Sequence, residues 1–399
     1  MKDIFIEDYN YPLDPHQIAD FPLPQRDASK LLVYKDGYVA DERFVALPDH
    51  LPSGTTLVLN NTRVIEARIH FQKSTGGVIE LFCLQPQFPT DISMAMQQTG
   101  KVQWRCLIGG ASKWKPGQAL QKDIRLDGQM IALKAIYISK EPEDFIVELS
   151  WDIDLPFATI LEAAGAIPLP PYIKRKAELT DAERYQTVFA AHKGSVAAPT
   201  AALHFSPQVF EKLAAKGILP QYVTLHVGAG TFKPVKTETI AAHHMHEEHF
   251  SVTADLLKAL LTAKKIVAVG TTSLRTLESL YWIGIKLSNQ HIEFNLGQWE
   301  AYNLEDQLTY RESLQLLLNH LEKSGKTELQ CRTSLLIRPE YKFRSAEALV
   351  TNFHQPKSTL LLLVAAFIGE DWRKVYEHAL NHNFRFLSYG DSSLLWRKD

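Results

Sequence analysis

Cysteine is scarce: Cys83, Cys106 and Cys331 are the three in 399 residues, and no two stand in C-x-x-C spacing. Neither a disulfide framework nor a zinc ribbon is expected, which points to a reducing compartment, read here as cytoplasmic. Long apolar runs are missing too. The longest, residues 360–368, falls well short of the roughly 20 residues that a membrane-spanning helix needs. The opening MKDIFIEDYN carries acids and no apolar core, so neither a signal peptide nor a membrane association is expected. No charge of one sign dominates: 43 Lys and Arg stand against 45 Asp and Glu, a formal net charge of −2. That excludes a protein basic over its whole surface, although a local basic groove is compatible with any near-zero sum. Internal repeats and low-complexity tracts are absent, which removes solenoids and linker arrays. Nothing signals an obligate protein partner. What is left is an ordinary globular composition, long enough for two or three domains at roughly 100–200 residues each.

A hairpin comes first. Residues 31–35 and 38–42 flank Asp36-Gly37, a pair that tolerates the positive φ angles of a two-residue turn. Residues 55–59 form the next strand and run into the polar cluster Asn60-Asn61-Thr62-Arg63. From Val64 to about Trp151, short β-rich runs are broken by Gly, Pro and polar residues, the texture of a small β-barrel or sandwich. After Trp151 helices and strands alternate. Thr180-Asp181-Ala182-Glu183 has capping-box spacing and predicts a helix through Ala191, while Ser206-Pro207 and Gly217 bracket another. Strands follow over residues 222–227 and 265–269, the second leading through Gly270-Thr271-Thr272-Ser273 into a helix. Thr309 caps a further helix, with Leu314, Leu317, Leu318 and Leu321 on one face. This order predicts a layered α/β domain, residues 1–63 and 152–399, interrupted by an inserted small β-barrel domain, residues 64–151.

Groups able to do chemistry collect in the second half. Seven of the fifteen histidines fall between His192 and His249, most of them in AALHF, TLHVGAGTF and HHMHEEH. If the last run were helical, His243, His246 and a carboxylate would share a face. A metal site therefore competes there with a polar loop and with acid–base contacts. The run is not HExxH, and no metal is assigned. His226 projects opposite Val223, Leu225 and Val227, just before Gly228-Ala229-Gly230-Thr231. Glycines there allow close ligand approach, with the Thr231 hydroxyl as a donor, or simply make a tight turn. Thr271 and Arg275 mark a strand-to-helix corner suited to a carboxylate or phosphate, and Ser358-Thr359 is a second such corner. Arg26-Asp27 reads as a structural salt bridge. Two stretches are locally basic. Lys101, Arg105, Lys113, Lys115, Lys122 and Arg125 meet one acid, Asp123, with Trp104 and Trp114 interleaved as stacking candidates. AGAIPLPPYIKR ends in Lys174 and Arg175, with Lys176 adjoining. Such stretches fit a phosphate-contacting surface or a solvated rim.

Long strings in a fixed order carry more than these spacings. They are RDASKLLV from Arg26, LNNTRVIEARI from Leu59, IPLPPYIKR from Ile167 and GSVAAPTAALHF from Gly194. TLHVGAGTFKPV from Thr224, VGTTSLRTLES from Val269, TNFHQPKSTLLLLVAAF from Thr351 and FRFLSYGD from Phe384 continue the series. Together, from Asp8 to Leu395, the chain resembles the S-adenosylmethionine:tRNA ribosyltransferase-isomerases of queuosine synthesis.

The resemblance implies an α/β domain interrupted by a small β-barrel. It also implies an enzyme that moves the ribosyl part of S-adenosylmethionine onto the aminomethyl group of a 7-deazaguanine in a tRNA anticodon. That ribosyl is rearranged to an epoxycyclopentanediol, and adenine and methionine are released. The implied partners are tRNA and S-adenosylmethionine; no cofactor is implied, because S-adenosylmethionine is consumed. A sulfonium acidifies the C5′ protons, so a base is needed first and an acid for adenine later. His204, His226, His246 and Glu248 lie in the matching motifs as catalytic candidates. Tyr185, Phe205, Tyr389 and Asp391 are candidates for the cationic sulfur, and Thr271 and Arg275 for the methionine carboxylate. Asn60, Asn61 and Asp27 suit the deazaguanine edge, Thr231 a further substrate contact, and Lys113, Lys115, Lys174 and Lys176 the tRNA phosphates. Departures from the usual pattern stand at Ala202, Ala242, Glu340, Ser392 and Ser393. They frame the alternative: a non-catalytic tRNA-binding paralogue, or a related enzyme of altered substrate preference.

Overall fold

Turn chemistry places the first strands as predicted. β1 (Lys30–Lys35) and β2 (Tyr38–Arg43) pair antiparallel across Asp36 and Gly37, whose φ angles are 51° and 82°. β3 (Thr55–Asn60) follows, then the short β4 (Thr62–Val64). The computed structural model describes residues 3–73, 75–228, 230 and 234–398.

The β-rich stretch forms its own sheet. β5 (Arg68–Gln72), β6 (Val78–Phe88), helix α1 (Ile92–Gln97), β7 (Lys101–Gly109), β8 (Ala119–Leu126), β9 (Gln129–Lys140) and β10 (Phe145–Ser150) come in sequence. Helix α2 (Phe157–Ala164) and β11 (Gly165–Ala166) complete it, giving an antiparallel sheet in the order β11-β5-β6-β7-β10-β9-β8. The sheet curls until β8 lies alongside β5, yet β11 and β8 stay unpaired edges. It is a half-barrel, where the sequence texture had suggested a barrel. Helix α2 occupies the opening: Phe157, Ile160 and Leu161 join the sheet's core, and Lys122 Nζ donates to the Ala164 carbonyl at 2.6 Å. Trp104 and Trp114 point into the same core. Neither can stack on RNA: Val102, Trp104 and Cys106 are the inward positions of β7, and Trp114 is buried against Tyr137.

The rest of the chain alternates. α3 (Asp181–Arg184), β12 (His192–Ser195), α4 (Pro207–Ala215), β13 (Pro220–Leu225), β14 (Glu248–Thr253), α5 (Ala254–Thr262), β15 (Lys265–Val269) and α6 (Thr271–Ser288) come first. β16 (Asn295–Leu296), α7 (Tyr310–Ser324), β17 (Glu328–Thr333), β18 (Ala348–Asn352), α8 (Thr359–Ile368), α9 (Asp371–Asn381) and β19 (Ser392–Trp396) follow. The large sheet runs β16-β17-β14-β13-β3-β15-β18-β19-β1-β2, with β13, β3, β15 and β18 mutually parallel at its centre. Period-two alternation buries both faces. Leu32, Val58, Ala268 and Leu349 meet the layer of α5–α9, while Leu31, Leu57, Val267 and Val350 meet α4 and the turn Phe44–His50.

One predicted helix does not form. α3 stops at Arg184, and Thr180 makes no side-chain cap. Asp181 is drawn away by a two-point pair with Arg175 at 2.7 and 2.8 Å, and by the Tyr389 hydroxyl, which donates at 2.7 Å. Gln186 then serves as a strand partner, bonded to both the N–H and the carbonyl of Val64. These tertiary contacts outweigh a local capping signal worth about 1 kcal/mol.

Candidate active site

Parallel strands leave their carboxyl ends on one edge, and the main cleft opens there. With its open mouth counted it takes in about 670 Å³ between Val227 after β13, Gly270 to Thr272 after β15, and residues 352–355 at the end of β18. Residues 197–201, Tyr172 and Ser388 close the sides. Gly270, at φ 88°, turns β15 directly into α6. Ser358 caps α8, its Oγ accepting from the Leu361 N–H at 3.2 Å. Thr271, Thr272 and Ser358 all line the cleft, so two helix N-termini deliver partial positive charge and hydroxyls to one space. That is a setting for a carboxylate. His354 adds an imidazole whose Nε2 lies 2.9 Å from the Thr351 hydroxyl, and burial lowers its pKa to about 3.

A second, smaller cavity, about 280 Å³ with its open mouth counted, adjoins the first, with Arg26, Arg184, His204, Arg385 and Tyr389 in its wall. Ser388 lines both. His204 spans the partition, with Nδ1 2.9 Å from Ser29 Oγ and Nε2 3.3 Å from Asn352 Nδ2. An amide nitrogen can only donate, so Nε2 accepts and Nδ1 carries the proton. Burial lowers the His204 pKa to about 4.

The four catalytic candidates are not brought to one point. His226 sets Nδ1 3.1 Å from the Thr62 hydroxyl and is likewise lowered to about 4 by burial. Its N–H donates to the His249 carbonyl, which continues the β13–β14 ladder and turns Val227 and Glu248 towards the interior. There Glu248 forms a buried ion pair with Arg275, whose pKa burial lowers to about 10. Arg275 lies one turn inside α6 and does not line the cleft; Thr271 does. His246 sits in the irregular stretch after the turn Ile240–Ala242, against Gly230. No helix forms over HHMHEEH, so the two-histidine, one-carboxylate face is not built there. Thr231 lies outside the described residues.

Several binding candidates are already engaged. Asn60 gives its whole amide to backbone: Nδ2 donates to the Leu225 carbonyl, and Oδ1 accepts from the Leu225 and Thr62 N–H groups. Asn61 Oδ1 accepts from the Thr224 hydroxyl at 2.7 Å. Asp27 accepts from the Ser206 hydroxyl at 2.5 Å, and the expected Arg26–Asp27 bridge is replaced by Arg26 donating to the carbonyls of Leu203 and Glu183. Asp391 accepts from the Lys30 N–H, the Arg385 N–H and the Arg385 guanidinium. Phe205 is core, packed on Phe44 and Phe210, and Tyr185 is buried edge-on to Tyr389. Lys113, Lys115, Lys174 and Lys176 are exposed. Of their neighbours, Arg105 pairs with Asp144 and Arg175 with Asp181. Phe21 is half exposed, with the Arg175 guanidinium 4.0 Å from its centroid. Asn352, His354, Tyr172 and Ser388 line the cleft without having been singled out. All four lie inside the quoted strings, but nothing local distinguishes a cleft-lining polar residue from a core one.

The model of a family described as Queuosine biosynthesis protein matches residues 6–395. The chain is 36% identical over 399 residues to the S-adenosylmethionine:tRNA ribosyltransferase-isomerase of Pelobacter propionicus, covering 98% of this chain and 100% of that one. It is 38% identical over 399 residues to the enzyme of the same name from an Azoarcus species, covering 99% and 98%. A crystal structure of S-adenosylmethionine tRNA ribosyltransferase from Thermotoga maritima aligns over 97% of this chain and 99% of that one, at 27% identity and a TM-score of 0.46. The matched residues include the wall of both cavities and all ten strands of the large sheet, apart from the last residue of β19. With that extent of agreement, the chain belongs to the queuosine biosynthesis protein family.

Proposed function

We propose that the protein transfers and isomerises the ribosyl moiety of S-adenosylmethionine onto the 7-aminomethyl-7-deazaguanine base of tRNA. The products are epoxyqueuosine-tRNA, adenine and methionine. One observation carries this reading: identity of 36% and 38% along essentially the whole chain to two enzymes named for that transfer. The cleft is chemically suited to it. The methionine carboxylate would sit at the paired starts of α6 and α8, with Thr271 and Ser358 as hydroxyl donors. A base that takes a C5′ proton must start neutral, and burial keeps His204 and His226 neutral at pH 7. His204 has both ring nitrogens engaged. His226 uses Nδ1 alone among the described residues and stands next to Val227 of the cleft wall, which favours it as the base. Asn61, Asp27 and Tyr389 remain substrate-contact candidates and His246 an acid candidate, whereas Glu248 is committed to Arg275.

The reaction consumes S-adenosylmethionine and calls for no resident cofactor. We assign residues 1–63 and 152–399 to the catalytic domain and residues 64–151 to a barrel-like insert; the two separate sheets support two units, with α2 and β11, just past that boundary, packing on the insert. Among the described residues no helix is long and apolar enough to cross a membrane, in keeping with action on tRNA in the cytoplasm.

The test is to mix the protein with S-adenosylmethionine and tRNA carrying the aminomethyl base, then measure adenine and analyse the nucleosides by mass. Equal amounts of adenine and epoxyqueuosine are expected. Bound tRNA without adenine would mean a non-catalytic paralogue, and adenine with a different nucleoside an altered substrate.

A further inference from the structure

Away from both cavities, one cluster of metal-ligating groups stands out. We propose that Asp41, His378 and His382 form a surface site for a divalent ion of the zinc class, tying edge strand β2 to helix α9. One ligand atom from each of the three residues lies within 4.8 Å of the others. His378 and His382 are four apart at the end of α9, which sets one above the other on the same face. Their rings stack at 3.8 Å and 12°. His378 Nε2 is 2.7 Å from Asp41 Oδ1.

His378 Nε2 donates to the Asp41 carboxylate, a hydrogen bond that a bound ion would replace, whereas the tautomer of His382 is already set for binding. Its Nδ1 lies 2.8 Å from the His378 carbonyl oxygen, which can only accept, so Nδ1 carries the proton and Nε2 presents a lone pair. A carbonyl in that role is the usual outer partner of a metal-binding imidazole. The scaffold is firm: Asp41 is held in the β1–β2 ladder opposite Leu32, and Lys374 Nζ donates from α9 to the Gly37 carbonyl of the hairpin turn at 2.7 Å. Lys30 also adjoins the site, its ammonium bonded to the carbonyls of His382 and Asn383.

Donor chemistry selects the ion. Two imidazoles and one carboxylate suit zinc, nickel or copper, whereas magnesium and calcium call for all-oxygen shells. Asp41 and His382 are exposed, so water completes the coordination. None of the three residues lines either cavity. The site is therefore a clamp on the outermost strand of the large sheet, a position where unpaired edges need cover. It stands independently of the proposed reaction.

The test is calorimetric titration of the full-length protein with zinc chloride, repeated on His382→Gln, Asp41→Asn and His246→Gln, each checked for native circular dichroism. One equivalent is expected in the parent chain, with affinity reduced roughly tenfold or more in His382→Gln and Asp41→Asn and unchanged in His246→Gln. Zinc should also raise the melting temperature of the parent more than that of His382→Gln, since a ligand that binds only the folded state stabilises it. Electron paramagnetic resonance of the copper-loaded protein should show two imidazole nitrogens. Absence of zinc binding overturns the proposal. So does binding that survives both His382→Gln and Asp41→Asn, or that disappears in His246→Gln, because the ion would then belong to the 243–249 run.

Discussion

Burial sets the protonation of the imidazoles around the cleft, and stability inherits a pH dependence from it. His204 and His226 are lowered to about 4 and His354 to about 3, in each case chiefly by desolvation, against an ordinary value of 6.5. Between those values the unfolded chain binds protons that the folded chain refuses. The stabilisation is complete above about pH 6.5 and is lost as the pH falls towards 4. The melting temperature should decline through that window, and His204→Gln, which cannot titrate, should make the decline shallower. A melting curve indifferent to pH from 7 to 4 would contradict the assignment. Arg275 and Glu248 pose a related question. Each is nearly inaccessible, so removing one leaves the other charged without a partner, at a cost of about 3–5 kcal/mol. Arg275→Ala is therefore expected to lower the melting temperature sharply. A raised KM for S-adenosylmethionine at an unchanged melting temperature would instead make Arg275 a ligand of the methionine carboxylate.

Between elements, α6 and α7 approach closely where Gly284 faces Ser313. A Cβ on Gly284 would meet the Ser313 side chain and come within 2.7 Å of the Ser313 carbonyl oxygen. The serine Oγ is itself committed, donating to the Tyr281 carbonyl at 2.7 Å. Replacing glycine by alanine inside a helix ordinarily gains about 1 kcal/mol. Forcing two packed helices apart costs about 1–3 kcal/mol. Because the obstacle is backbone, the steric cost should win, and Gly284→Ala should lose about 1–2 kcal/mol in a urea titration. A gain would mean that α7 can slide away freely. α6 carries Thr271 to the cleft at its other end, so the same contact also fixes the corner where the carboxylate is proposed to bind.

For the whole molecule, the question is how a chain of net charge −2 binds a polyanion. Half of the basic residues in the insert's cationic stretch are occupied: Arg105 by Asp144, Lys122 by the Ala164 carbonyl, and Lys101 near Glu148 at 3.9 Å. Lys113, Lys115, Lys174 and Lys176 are exposed and are the proposed phosphate contacts. Each such contact should contribute about −0.7 to −0.9 to the slope of log affinity against log salt. Changing all four to alanine should flatten that slope and weaken different tRNAs alike, because phosphates carry no sequence information. An unaltered slope in filter-binding measurements would move the RNA to another face, with Phe21 and Arg175 beside the second cavity the next place to look.

Much of this molecule is legible over short stretches of sequence. The Asp36-Gly37 hairpin, the Ser206 and Ser358 caps, the Thr309–Glu312 capping box and the alternation of residues 222–227 all appear where their local chemistry puts them. Each depends on atoms a few residues apart, and the family strings are likewise a linear signal. What the tertiary structure decided was which polar groups are still available. Asn60, Asp391 and Glu248 have the right chemistry for a substrate, yet they are taken by Leu225, Arg385 and Arg275. The predicted helix after Thr180 is lost for the same reason, because Asp181 is bonded to Tyr389, 208 residues away. His204 and Asn352 join the two cavities across 148 residues. A local pattern can say that a side chain is able to donate or accept. Only the packing of distant segments determines whether water, substrate or another residue meets it, since an unpaired buried polar group costs more than most local preferences can offset.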